Sequence, residues 1–179
     1  MKPKLLLHCC CAPCSSAIIE HLSNYYDITL YFYNPNITNE GEYNYRLNEL
    51  ARFIVDAGYK KKVKLAWENY NTEPFYEFAK DLKDKHEGGQ RCRMCYAIRL
   101  RKTAEYAEKY GYRYFSTTLT ISPYKDSAVI NSIGTSVTSV FQNVMYMPFD
   151  FGFLYTRSLD LCEKYDLYQQ DYCGCEYSI

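Results

Sequence analysis

Nine cysteines stand in this chain of 179 residues, and all but one fall into three tight groups. The first group is His8-Cys9-Cys10-Cys11-Ala12-Pro13-Cys14-Ser15-Ser16. The second is Arg91-Cys92-Arg93-Met94-Cys95, the third is Cys173-Gly174-Cys175, and Cys162 stands alone. Thiolates are soft ligands that select zinc or iron–sulfur clusters. A C-x-x-C opening a helix brings both sulfurs to the same side of the first turn, and four cysteines can hold a structural zinc or a 4Fe-4S cluster. Zinc favours two separated C-x-x-C knuckles. The adjacent Cys10 and Cys11 fit that pattern poorly, which tilts the reading to iron–sulfur. In Cys173-Gly174-Cys175 the single glycine allows a small, strained disulfide ring, and such bonds are labile or catalytic. A disordered tail with incidental thiols, or a thiol that ligates metal, are the other readings of this pair.

Other groups sit close to these thiols in sequence or by expected position. His8 can donate a proton or ligate a metal, although a lone histidine at a strand end is more often structural. Asp150 falls at an expected strand end on the same sheet edge, where it can bind metal, deliver a proton or cap a helix. Arg91, Arg93, Arg99, Arg101 and Lys102 surround the second pair and suit phosphate contact. Lys60, Lys61, Lys62 and Lys64 read as a solvated face. Cys162 lies on an apolar helical stripe and reads as core. Cys9 points away from Cys10 if strand alternation holds.

These groups need a scaffold. Leu5-Leu6-Leu7 reads as a buried strand, and Pro13 suits the first turn of a helix, so the first cysteines lie where strand gives way to helix. In an open α/β sheet this is the crevice where ligands bind. Further strands are expected over Ile28–Tyr33, Lys62–Ala66, Tyr114–Thr118 and Val144–Met147. Helices are expected over Glu42–Gly58 and Phe75–Leu82, from the second cysteine pair to Gly111, from Ser122-Pro123 to about Ile133, and along Leu154–Tyr165. Strands alternating with helices give an α/β fold: one domain, residues 1–179, with an open parallel sheet and helices on both faces.

Lys+Arg and Asp+Glu are both 21, so no general basic coat for nucleic acid exists, although a local patch can. The 21 tyrosines offer stacking surface, or reflect compositional bias. Met1-Lys2-Pro3-Lys4 leads to only three leucines, which is not a signal peptide, and no run approaches a membrane span. The expected location is the cytoplasm, where clustered cysteines more often bind metal or catalyse than form structural disulfides.

Several segments together resemble the epoxyqueuosine reductases of the QueH type. They are His8-x-Cys10-Cys11-Ala12-Pro13-Cys14-Ser15, Asn34-Pro35-Asn36-Ile37, Arg91-Cys92-x-x-Cys95-Tyr96, Thr117-Thr118-Leu119, Ser122-Pro123-Tyr124, Asp150-Phe151 and Tyr172-Cys173-Gly174-Cys175. They run in order along nearly the whole chain. Cys9 and Cys162 are outside the pattern, and Gly152-Phe153-Leu154-Tyr155 replaces an expected basic, glycine-rich stretch. The resemblance implies a sheet of the adenine-nucleotide alpha-hydrolase (HUP-like) type with no ATP hydrolysis, because cysteines replace the phosphate loop. It implies reduction of epoxyqueuosine to queuosine at the wobble position of tRNA, with a 4Fe-4S cluster and no cobalamin. It assigns Cys10, Cys11, Cys92 and Cys95 to the cluster. Cys14, Asp150 and the Cys173/Cys175 pair then serve a second iron or other metal ion, or a redox relay; three cysteines and an open iron is an equal alternative. The implied partners are tRNA bearing epoxyqueuosine in its anticodon and an unidentified electron donor, with no membrane. The rivals are a cluster-dependent tRNA thiolation enzyme, which needs an ATP phosphate loop, and a zinc-stabilised RNA-binding module.

Overall fold

Leu5-Leu6-Leu7 offers no polar face, so a strand built from it must be covered on both sides. The computed structural model, which describes residues 2–178, places it at the centre of one sheet. The strands are β1 (Lys4–Cys9), β2 (Asp27–Phe32), β3 (Val63–Trp67), β4 (Tyr114–Thr117) and β5 (Met145–Tyr146). All pair in parallel, in the order β3-β2-β1-β4-β5. Parallel neighbours require crossovers, and the helices supply them. They are α1 (Ala12–Leu22), α2 (Glu40–Asp56), α3 (Glu73–Ala79), α4 (Gln90–Tyr110), α5 (Ser127–Val137) and α6 (Tyr155–Tyr165).

Side chains of β1 alternate between two cores. Leu5, Leu7 and Cys9 enter one with residues of α1, α2 and α6, while Leu6 enters the other with residues of α4 and α5. Helices therefore cover both faces, as the alternating pattern requires. The chain winds outward from β1 through β2 and β3, then returns to β4 on its other side. The order thus reverses between β1 and β4, and the loops leaving those two strands diverge to open a crevice at their carboxyl ends.

Most element ends follow local chemistry. Gly111 stops α4 with φ of 72°, a conformation glycine adopts without cost. Asn39 caps α2, its Oδ1 accepting from Glu42 N at 3.0 Å. The helix expected to open at Ser122-Pro123 does not. After a 3-10 turn over Thr118–Ile121, Ser122 Oγ accepts from Tyr124 N (3.3 Å) to close a turn, and α5 begins only at Ser127. Asp126 is its cap, accepting from Val129 N at 3.1 Å. Among the described residues no helix is long and apolar enough to cross a membrane.

Candidate active site

β1 ends at Cys9 and α1 begins at Ala12, so Cys10 and Cys11 form the turn between them. Cys11 is the helix cap, its sulfur accepting from Cys14 N at 3.4 Å. One turn on, Cys14 brings its own sulfur back to the same place. The sulfurs of Cys10, Cys11 and Cys14 all lie within 4.8 Å of one another, and those of Cys10 and Cys11 are 3.7 Å apart. A tetrahedral thiolate site with metal–sulfur bonds of about 2.3 Å has sulfur–sulfur edges of about 3.8 Å, so this donor set fits a soft metal. Hydrogen bonds from the Cys11 and Cys14 thiols hold Cys10 well below the usual thiol range. By the same bonds Cys11 is pushed up to about 12, and Cys14 is also raised. Metal binding would displace whatever thiol protons the trio carries.

Cys92 and Cys95 lie in the first turns of α4. Gly88 N donates to Cys92 Sγ at 3.3 Å, and Cys92 packs against the same apolar cluster as Cys10. Burial pushes Cys95 up to about 11 and raises Cys92. Cys95 packs with Phe75, Ala79 and Cys175, so the tail joins this second group. The tail is clamped. Asn36 Nδ2 and Arg46 Nη1 donate to the Cys173 carbonyl (3.1 and 3.3 Å), and Arg46 Nη2 to that of Tyr172 (3.2 Å). Arg91 Nη2 donates to the Tyr177 carbonyl (3.0 Å), and Thr38 N to that of Gly174 (3.0 Å).

The disulfide expected of Cys173 and Cys175 is not formed: all nine cysteines are free thiols. Cys175 is buried in the apolar cluster, and Cys173 Sγ lies 3.2 Å from Ser178 Oγ; the neighbouring Cys175, and then Ser178, bring the Cys173 thiol down to about 5. Gly174 makes this geometry possible. Its φ is 100°, and a Cβ there would meet Ile37 Cγ1 at 2.7 Å. Gly174→Ala is therefore expected to lose roughly 2–4 kcal/mol from strain and overpacking, a melting temperature lower by about 4–16 °C in a thermal scan.

A cavity of about 780 Å³ opens at the switch point, lined by Cys10 and Cys14, by Tyr172 and Cys173, and by Ser122–Lys125. Three cations reach it: Arg46, Arg99 and Lys125. Arg99 lies between the thiol groups and is 3 % exposed. Its Nη2 donates to Asn34 Oδ1 (2.7 Å) and its Nη1 lies 3.9 Å from Cys95 Sγ. Among the described residues it has no carboxylate partner. Burial alone would lower its pKa; the sulfurs of Cys95 and Cys10 reverse this and hold it above the ordinary value.

The family model described as Epoxyqueuosine reductase QueH matches residues 5–179. The chain belongs to the QueH family. Relatives named Epoxyqueuosine reductase QueH include one from Streptococcus pyogenes, 40 % identical over 99 % of this chain and 71 % of its own length. One from Staphylococcus epidermidis is 40 % identical over 99 % of this chain and 76 % of its own. One from Thermotoga maritima is 34 % identical over 98 % and 90 %. This QueH chain is accordingly an oxidoreductase.

Not every expected residue reaches the QueH cavity. His8 is fully buried, with Nδ1 2.9 Å from Thr117 Oγ1 and Nε2 3.1 Å from the Tyr33 carbonyl. Burial, and then the Arg99 charge, push its pKa down to about 3, so it is a neutral member of the strand-end network rather than an imidazolium acid. Asp150 lies past β5 on the expected edge, and its exposed carboxylate accepts from Ser127 Oγ (2.9 Å) and Gly152 N (3.0 Å). Arg91 is 2 % exposed, its terminal nitrogens donate to the carbonyls of Leu82, Lys83, Lys85 and Tyr177 and its Nε is buried without a partner, so it is burial that keeps it from a phosphate. Arg93 is exposed. Cys9 is turned into the other core, as alternation requires, while Cys162 is buried yet also lines the cavity.

Sequence reading missed Arg46, Asn34 and Lys125. Arg46 had a signal: it stands four residues after Glu42 in an expected helix, and their side chains pair at 2.6 Å. Asn34 joins the strand-end network by donating to the Cys9 carbonyl at 3.0 Å, a contact no local pattern announces.

Proposed function

We propose that this chain, as one iron–sulfur reductase domain, reduces epoxyqueuosine to queuosine at the wobble position of tRNA, without cobalamin. The observation that supports this best is the meeting of Cys10, Cys11 and Cys14 beside a cavity at the switch point, in a chain of this family. Cys10, Cys11 and Cys14 would hold metal on one side, and Cys92 and Cys95 would offer thiolates from α4. Cys14 then belongs with the ligands. A 4Fe-4S cluster, with or without one further metal ion, supplies electrons one at a time when bound. The chain's own groups do the rest. The crevice admits a base turned out of an anticodon loop, and Tyr124, 86 % exposed at the rim, offers it a stacking face. Arg99 carries the positive charge that balances the thiolates. Cys173, the more acidic partner of its pair, faces the same cavity and suits a relay of electrons from an external donor.

Metal content and the visible spectrum after anaerobic purification, followed by turnover of epoxyqueuosine-containing tRNA, test the reading. A brown protein that converts the tRNA supports it. A colourless zinc protein without turnover, even after reconstitution, sinks it and leaves the RNA-binding module. Arg93 suits a phosphate contact in this reading. Arg93→Ala is expected to weaken tRNA binding and to reduce the slope of log affinity against log salt by roughly 1, measured by filter binding at several salt concentrations.

A further inference from the structure

The segment Ser122–Lys125 lines the same cavity as Cys10, Cys14 and Cys173. It is held firmly: Lys125 N donates to the Ser122 carbonyl (3.2 Å), Tyr124 N to Ser122 Oγ (3.3 Å), and Asp126 caps α5. Lys125 is half-buried and lines the cavity, where its Nζ donates only to the neutral Ser122 Oγ at 3.3 Å. The other two cavity cations are engaged. Arg46 pairs with Glu42 and the tail carbonyls, and Arg99 with Asn34, His8 and Cys95. Lys125 makes no ion pair among the described residues. It lines the same cavity as Cys10 and Cys173, which belong to different thiol groups.

We propose that Lys125 is the proton donor to the oxygen that leaves the substrate. The inference rests on the epoxide-reductase reading and adds the acid that this reading lacks. In the reaction an oxirane takes up two electrons and two protons. Both C–O bonds break, a C=C bond forms and the oxygen departs as water. The electrons come from a low-potential one-electron donor, a reduced viologen in the assay. As the first C–O bond opens, negative charge gathers on oxygen, and the proton it takes comes from Lys125 Nζ. The amine left behind is reprotonated from solvent in the open cavity, and water supplies the second proton. The thiols of the trio are poor rivals for this role, because metal binding strips their protons. Cys162 also lines the cavity, but it is 2 % exposed and burial pushes its thiol up to about 11.

The test compares wild type with Lys125→Met and Lys125→Arg under anaerobic turnover of epoxyqueuosine-containing tRNA, with metal content and tRNA binding measured on the same preparations. Lys125→Met is expected to lose about 10²–10⁴-fold in kcat, the usual range for a missing general acid, with metal content and tRNA affinity as in wild type. Added methylammonium should restore part of the rate, as a proton donor and not as a fold stabiliser. Lys125→Arg should bind tRNA normally and remain slow, because a guanidinium does not give up its proton. An unchanged kcat overturns the proposal. So does a defect confined to KM, which would make Lys125 a phosphate contact, or a loss of metal, which would make it structural. If wild type itself does not turn over, the reductase reading fails and this inference with it; if wild type and Lys125→Met turn over alike, only this inference fails.

Discussion

Cys10→Ser is expected to leave the protein unable to hold metal and to remove reductase activity. Cys10 is the member of the trio held well below the usual thiol range, by hydrogen bonding with Cys11 and Cys14. A serine hydroxyl is neither soft nor ionised, so the change removes both the preferred donor and the charge around which the other two thiols are arranged. Changing a mere outer-shell partner of a metal costs roughly 10–100-fold in affinity, and loss of a direct thiolate should cost more than about 100-fold. Cys14→Ser should show the same loss, because its sulfur stands with Cys10 and Cys11 within 4.8 Å. Cys9→Ala is the control: its side chain points into the opposite core, so metal should be retained with only a small loss of stability. Elemental analysis and the visible spectrum of anaerobically purified variants decide the matter. Full metal in Cys10→Ser, or loss in Cys9→Ala, would contradict the assignment.

The second large effect is expected at Arg99, and on stability. Its guanidinium is buried between His8, Asn34 and Cys95 and balances sulfur rather than carboxylate. Arg99→Met keeps most of the volume but orphans Asn34 Oδ1 and takes the buried positive charge away from the sulfurs of Cys95 and Cys10. Removing one partner of a buried charged arrangement costs about 3–5 kcal/mol. For a chain of this size that corresponds to a melting temperature lower by roughly 10 °C, read on metal-free protein under reductant. Arg99→Lys should fall between, since an ammonium keeps the charge and loses the fork that spans both partners. A stability equal to wild type in Arg99→Met would show that the thiols are neutral and need no counter-ion.

The scaffold was legible because its signals are local. The apolar run of β1, Pro13 in the first turn of α1, and Gly111 at the end of α4 each act through neighbouring residues. The parallel sheet followed from the alternation of elements. The thiol groups were legible for the same reason: C-x-x-C and Cys10-Cys11 are contacts between near neighbours. What escaped depends on the tertiary fold. Arg91 and Arg99 look alike in sequence beside the second cysteine pair, yet both are buried and one is spent on carbonyls while the other faces sulfur. The helix start was misplaced because Ser122-Pro123 and Asp126 are both credible caps, and only the extra turn over Thr118–Ile121 decides between them. With α5 starting only at Ser127, Lys125 lies before the helix and lines the cavity.

The clamp on residues 172–177 has a consequence for how the molecule is made. Cys10, Cys11 and Cys14 leave the ribosome some 160 residues before Cys173, a lag of roughly 10–30 s at about 5–20 residues per second. During that interval the trio can collect metal, but the wall built from Tyr172 and Cys173 has not been synthesised. Arg46, waiting on α2, has no carbonyls to grip. A chain interrupted in translation therefore carries thiols without a finished chamber around them, and the reductive chemistry proposed for this protein becomes available only when synthesis has delivered the last cysteines.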